Sequence, residues 1–325
     1  DGKLIGHNTD YFGFRRLVQE SGLQVAGKKV LVLGSGGASS TAVAVLQELG
    51  AKVTVISRSG ENNYENLDRH ADAAVIANTT PVGMYPNTGK SALSLEGFPR
   101  LEGVLDAVYN PARTQILLDA ERRGLAAVNG LWMLVAQAKE SAEWFTGEEI
   151  PDSRIAKIHH TLRLQMENII LIGMPGCGKT AVGQQLAQKL GKKFVDADES
   201  LEARVCRKIT DIIPNDGEAA FREMESETLA ELGKQSGLVI ATGGGCVTQP
   251  QNYPLLHQNG TIFWLKRELD KLPTDGRPLS QKGTLGQMYE ARMPLYLRFA
   301  DAAISNDGSI AETASAICRK LEETT

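Results

Sequence analysis

Cysteine is scarce in this chain. Cys177, Cys206, Cys246 and Cys318 are all there are in 325 residues, and none stands at a spacing that binds zinc. They suggest no disulfide framework and fit a reducing cytoplasm, where the protein is expected to reside. The five histidines are dispersed apart from His159-His160, so a histidine-built metal site is not expected. Neither charge sign dominates. With 35 basic and 39 acidic residues the net charge is −4, which gives no electrostatic ground for nucleic acid or an anionic membrane as a partner. No apolar run approaches the roughly 18 residues of a membrane span, and no stretch reads as a secretory signal.

What is present is ordinary for an α/β protein, with 42% apolar residues, 23% charged and 33 glycines. The length exceeds the roughly 100–200 residues of one domain and suggests two. One pattern occurs twice. "KKVLVLGSGGASSTAVAVLQELG" begins at Lys28 and "NIILIGMPGCGKTAVGQQLAQKLG" at Asn168. Each is a short aliphatic run, then glycines, then an amphipathic helical stretch closed by glycine, the opening of a parallel sheet with helices on both faces. The two glycine loops differ, so the pattern is not an internal repeat. A helix is expected from Asp152, and the boundary falls near Met166, giving domains 1–166 and 167–325. The fold class is thus α/β, two parallel-sheet αβα domains.

The second loop is the more specific. Gly173, Gly178, Lys179 and Thr180 satisfy G-x-x-x-x-G-K-[ST], with Gly176, Cys177 and Ala181 completing its contact surface. Glycines let backbone N–H groups close around phosphate oxygens; Lys179 reaches the β/γ-phosphates and the Thr180 hydroxyl can ligate Mg²⁺. In "FVDADES", Asp196 and Asp198 end an expected strand, and alternation sends both side chains to one side, one for Mg²⁺ and the other for a substrate hydroxyl. "GEAAFREMESE" carries Arg222 on a helix, "LVIATGGGC" ends a strand in Gly243-Gly244-Gly245, and "DGRPLS" and "ARMPLYLRFAD" add Arg277 and Arg292. Taken singly, these are solvated carboxylates, surface arginines and a turn.

Together, and in this order, the segments resemble shikimate kinase over about Asn168–Asp301. The resemblance implies a P-loop kinase that uses ATP and Mg²⁺ and holds shikimate with Asp198, Arg222, Gly244 and Arg292. It places Lys179 and the lid residue Arg277 at the transferring phosphate, and the metal at Thr180 and Asp196. Paired arginines suit a carboxylate, and Asp198 suits vicinal hydroxyls. The segment "ELDKLPTDGRPLSQ" is shorter and less basic than many lids of that family, which leaves its adenine-side contacts open.

In the first domain, "GSGGAS" spans Gly34, Ser35, Gly36, Gly37, Ala38 and Ser39, with Ser39 where a dinucleotide fingerprint has its third glycine. The second strand ends in Ser57-Arg58-Ser59, with no acid to meet a ribose 2′-hydroxyl. An arginine between two hydroxyls favours a 2′-phosphate, hence NADP(H), although Arg58 also reads as a plain surface residue. "GHNTDYFGF" sets Asp10 at a helix N-terminus, where it would also serve as a cap. "ANTTPVGMYPN", "LDAVYNPARTQILL" and "VNGLWMLVAQA" follow, carrying Tyr109, Gly130, Met133 and Gln137. Their combination and order resemble shikimate dehydrogenase over Asp1 to about Met166. That resemblance implies a Rossmann-type NADP-binding domain in which Asp10 is the acidic member of a Lys/Asp proton-handling pair. Tyr109 and Gln137 would approach the substrate, and Gly130 and Met133 would lie by the nicotinamide.

The family's substrate domain and its paired lysine, in an N-V-T-x-P-x-K type motif, are not found among these residues. An N-terminal substrate domain is therefore expected in the full-length protein, with dehydrogenase activity incomplete here. The joint expectation is a bifunctional enzyme of aromatic amino acid (chorismate) biosynthesis that takes 3-dehydroshikimate to shikimate and phosphorylates it, with no nucleic acid or membrane partner. Two alternatives stand beside it. One is a catalytically inactive quinate/shikimate sensor of the repressor type, which need not keep Lys179, Thr180, Asp196, Asp198 and Arg222. The other is a kinase for another polyol such as gluconate, which leaves the Arg222–Arg292 pair unexplained.

Overall fold

The computed structural model describes Gly2, Leu4 and residues 6–272 and 285–323. Arg277 lies outside the described residues. The chain divides into two compact units, Asp1–Arg163 and Leu164–Thr325. Among the described residues no helix is long and apolar enough to cross a membrane.

The first unit opens with helix α1 (Thr9–Glu20). Strands β1 (Lys29–Leu33), β2 (Lys52–Ile56), β3 (Val75–Asn78), β4 (Gly103–Asp106) and β5 (Ala126–Val128) follow, with helices α2 (Gly37–Glu48), α3 (Gln115–Arg122), α4 (Leu131–Thr146) and α5 (Ser153–Met166), whose last three residues belong to the second unit. The strands form one sheet in the order β2-β1-β3-β4-β5, and every pair is parallel. Continuous aliphatic runs such as Val30–Leu33 are fully buried, as expected of strands covered on both faces. One face packs Phe14, Leu17, Val45 and Met133, and the other packs Leu31, Ile76, Phe98 and Ile116. The N-cap of α1 is Asn8, whose side chain accepts from the Asp10 N–H at 3.0 Å; Asp10 lies one step inside the helix and is not the cap.

The second unit is built on β6 (Asn168–Ile172), β7 (Lys193–Asp196), β8 (Leu238–Ala241), β9 (Gly260–Lys266) and β10 (Ala302–Ser305). Helices α6 (Lys179–Leu190), α7 (Ala197–Val205), α8 (Ile209–Lys234), α9 (Asn252–His257), α10 (Leu285–Phe299) and α11 (Ile310–Glu323) surround them. The sheet is again parallel, in the order β10-β9-β6-β8-β7. Since β7 and β8 lie on one side of β6 and β9 and β10 on the other, the strand order reverses beside β6, where a crevice is expected at the carboxyl ends of the strands. Ile169–Ile172 are at most 1% exposed and anchor the core with Val182, Leu186, Val239, Phe263 and Ile317. Each such side chain contributes about 1.5–3 kcal/mol. Both units are therefore αβα layers around five-stranded parallel sheets, as the sequence predicts.

Candidate functional site

In the second unit every strand-end segment singled out by sequence turns toward one cavity of about 460 Å³. The loop after β6 and the start of α6 bring Gly176, Gly178, Lys179 and Thr180, with Ala181 beside them; the end of β7 brings Asp196 and the start of α7 Asp198; the loop after β8 brings Gly243–Gly245. From the helices come Arg222 and Glu225 of α8 and Met288 and Arg292 of α10.

The loop closes tightly because Gly178 adopts φ +96°, a conformation that a side chain would strain. From the far side Asn306 Nδ2 donates to the Cys177 carbonyl at 2.6 Å, and Thr313 Oγ1 donates to Asn306 Oδ1 at 2.7 Å. No side chain caps α6, so its first N–H groups are left for an anion. The Lys179 ammonium is buried and folded back, donating to the Gly173 and Met174 carbonyls at 2.9 and 3.1 Å.

Thr180 Oγ1 and Asp196 Oδ2 lie 3.0 Å apart, while Asp196 Oδ1 accepts from the Asp198 N–H at 3.0 Å. Asp196 is thus both the last residue of β7 and the N-cap of α7. Asp198 is not on the strand, as alternation predicts, but in the first turn of α7. It reaches the expected cavity by a helical route. Burial pushes its carboxyl up to about 6, with Glu225 and Asp196 adding to the shift. Among the described residues no group of three His, Cys, Asp or Glu side chains is placed to hold a metal. A hydroxyl and one carboxylate do match Mg²⁺, which takes most of its oxygens from water and phosphate.

Arg222 is 7% exposed and ion-paired to Glu225 at 2.8 Å and Glu218 at 3.3 Å. Burial raises the Glu225 pKa, and Glu225 Oε1 has no hydrogen-bond partner. A Cβ on Gly243 would stand 2.6 Å from that oxygen and 2.9 Å from Asp198 Oδ1, so the glycine's lack of a side chain leaves both carboxylates room. The Gly244 carbonyl accepts from Arg292 Nη1 at 3.2 Å and from the Tyr296 hydroxyl at 2.5 Å. Tyr296 is fully buried, its ring 5.6 Å from that of Trp264 on β9. The sequence assigns Glu225 and Tyr296 no individual role, although they close the motifs that carry Arg222 and Arg292, and it does not single out Asn306. The first two were visible as the i+3 partner of Arg222 and the i+4 partner of Arg292 on helices; Asn306 carried no local signal.

The first unit assembles less. Gly36 is the N-cap of α2 and makes no side-chain cap bond, and a Cβ on Gly36 or Gly37 would meet nothing within 4 Å. The uncapped helix end therefore has open space above it for a phosphate. Gly34 and exposed Ser35 lead into this turn, followed by Ala38 and by Ser39, which is 3% exposed. Ser57, Arg58 and Ser59 follow β2, with Arg58 and Ser59 exposed. Tyr109 lines a separate cavity of about 390 Å³ with Thr79, Thr80, Met84 and Tyr85. Asp10, Gly130, Met133 and Gln137 are not among its lining residues. Gly130 is packed against the Ala107 carbonyl with no room for a side chain, and Met133 is 8% exposed in the core against Gly13. Gln137 also packs on Gly13, where α4 crosses α1. Asp106, fully buried at the end of β4, accepts from Asn78, Thr114 and the Val108 N–H, and burial pushes its carboxyl up to about 6.

Comparison with known proteins separates the two halves. The family model described as shikimate kinase matches residues 175–322. A shikimate kinase of Burkholderia pseudomallei (strain 1710b) is 39% identical over 42% of this chain and 79% of its own length. One from Prochlorococcus marinus (strain MIT 9211) is 39% identical over 49% of this chain and 85% of its own length. The N-terminal half is similar to a shikimate dehydrogenase (NADP(+)) of Clostridium perfringens (strain SM101 / Type A), 34% identical over 50% of this chain. The match spans 65% of that relative's length.

Proposed function

The chain belongs to the shikimate kinase family, and from that premise we propose that its second unit transfers the γ-phosphate of ATP to a hydroxyl of shikimate. The observation that carries the reading is the convergence of Lys179, Thr180, Asp196, Asp198, Arg222, Gly244 and Arg292 on one cavity. The uncapped N–H groups of α6 and the Lys179 ammonium would cradle the β- and γ-phosphates. Thr180 and Asp196 would hold Mg²⁺, which neutralises phosphate charge when bound. Arg222 and Arg292 would clamp the substrate carboxylate, while Asp198, pushed toward neutrality by burial and ready to accept a proton, would face the attacking hydroxyl.

Steady-state assay of the chain with ATP, Mg²⁺ and shikimate, and with gluconate in its place, tests the assignment. Turnover with shikimate and none with gluconate is expected. The reverse, or binding of shikimate without turnover, would sink it and favour the polyol-kinase or the sensor reading.

For the first unit we propose an NADP(H)-binding wall, with the pyrophosphate at the N-terminus of α2 and the 2′-phosphate at Arg58. Its open helix end is what fits the cofactor. Asp10, Tyr109 and Gln137 would face a dehydrogenase substrate supplied with its partner lysine by a further domain, since the lysine motif is not among these residues. The expected outcome is NADP(H) binding by this chain without measurable NADP-dependent shikimate oxidation, restored when a substrate domain is provided. Robust NADPH formation by residues 1–325 alone would show that one of their own lysines does the work.

A further inference from the structure

The Gly244 carbonyl has two donors, although one suffices. The Tyr296 hydroxyl is at 2.5 Å and Arg292 Nη1 at 3.2 Å. The two residues stand four apart on α10 and so share a face. Their situations differ. Tyr296 is 0% exposed and its ring is fixed against Trp264, so its hydroxyl is held against the Gly244 carbonyl, with the weak acceptor Met174 Sδ further off. Arg292 lines the cavity and carries five N–H donors, one of which goes to this carbonyl, and its guanidinium also lies within hydrogen-bond reach of the Tyr296 hydroxyl.

We propose that Tyr296 is a positioning residue that satisfies the Gly244 carbonyl by itself and so leaves Arg292 free to turn to the substrate carboxylate. The inference deepens the shikimate kinase reading and rests on it. When a ligand fills the cavity and water leaves, an acceptor that lost its donor would oppose binding. With Tyr296 in place, Arg292 leaves the Gly244 carbonyl without stranding it. With phenylalanine in its place, Arg292 is the carbonyl's remaining side-chain donor among the described residues, and each substrate carboxylate must compete for it. Burial raises the Tyr296 phenol far above its ordinary range, so the hydroxyl keeps its proton and remains a donor. Met174 Sδ, at the start of the phosphate loop, lies 3.8 Å from the same hydroxyl, so the oxygen sits where that loop and the triple glycine meet.

Tyr296→Phe in the full chain removes one oxygen and keeps the packing. Its kcat/KM for shikimate should fall about five- to tenfold, as for loss of one hydrogen bond, through a raised KM. The KM for ATP should stay within about twofold, which also certifies the fold. Calorimetric affinity for shikimate should fall by the same factor. In an Arg292→Lys background the Tyr296→Phe change should cost less than about twofold, because the contest for the carbonyl is gone.

Unchanged shikimate affinity in Tyr296→Phe would overturn the proposal. So would a parallel rise in the KM of ATP, which marks general loosening, or full multiplication of the two substitutions. A wild-type chain that neither binds nor phosphorylates shikimate would overturn the kinase reading as well.

Discussion

Gly245→Ala tests how closely the substrate pocket is built. A Cβ at Gly245 would stand 2.7 Å from both Cζ and Nη1 of Arg222. Ordinary carbon contacts are about 3.5–4.0 Å, so the guanidinium must retreat by about 1 Å. It is 7% exposed and held by Glu225 at 2.8 Å, so it has little slack. The strain itself should lower stability by about 1–3 kcal/mol. The larger effect is on the substrate. Losing one charge-assisted hydrogen bond to a carboxylate costs about 1.5–3 kcal/mol, roughly 10- to 150-fold in kcat/KM for shikimate. The phosphate loop is tethered separately, through Asn306 and Thr313, so ATP affinity should change little. A coupled assay varying each substrate at saturation of the other separates the two. Gly286→Ala on α10 is the control, since its Cβ would meet nothing within 4 Å. Shikimate kcat/KM within twofold of wild type in Gly245→Ala would refute the placing of Arg222 against the substrate. An equal loss toward ATP would refute the independence of the two loops.

Lys179→Ala should lower phosphoryl-transfer turnover by about two decades or more, as for removal of an electrostatic stabiliser; wild-type-like turnover would contradict its role. Arg58→Ala should erase an NADP(H) over NAD(H) preference of about ten- to hundredfold, read by titrating both cofactors, and an undiminished preference would assign it elsewhere. His159, stacked on Trp132 at 3.7 Å, has its pKa lowered to about 4 by burial, with Arg163 and His160 adding to it. A depressed histidine favours the fold while neutral. The unfolded chain binds the extra proton first, so this contribution is present above about pH 6.5 and is lost as pH falls toward 4. Thermal unfolding followed by circular dichroism should therefore fall less steeply between those pH values in His159→Phe than in wild type; identical slopes would exclude the effect.

The two sheets are readable because each opens on a strand with four consecutive aliphatic residues and a glycine turn, signals that survive without tertiary context. The phosphate loop was readable for the same reason: Gly173 to Thr180 is contiguous, and its conformation follows from its own backbone. Asp198 came out in the expected cavity on a different element, because Asp196 caps a helix that starts there and ends the alternation early. Glu225 and Tyr296 act through partners brought close by helix geometry, so they show only when Arg222 and Arg292 are read with the residues three and four further on. Asn306 is brought to Cys177 by the pairing of β10, β9 and β6, a register that no local pattern reveals. In the first unit, Gly130 and Met133 are explained by packing against Ala107 and Gly13, so their presence in a motif does not separate a cofactor contact from a core contact.

The stacking of Trp264 on Tyr296 gives the second unit an optical property of its own. The chain has three tryptophans, and Trp132 and Trp144 belong to the first unit. Trp264 is therefore the lone indole of the second unit, 3% exposed, with the Lys266 ammonium 5.3 Å from its ring. Its neighbour Tyr296 grips the backbone that borders the cavity. An indole in a dry site emits according to the charges and dipoles around it. Any rearrangement of the Gly244 carbonyl is relayed to it through one phenol ring, so ligand entry should be visible as a change in natural emission, with no label attached.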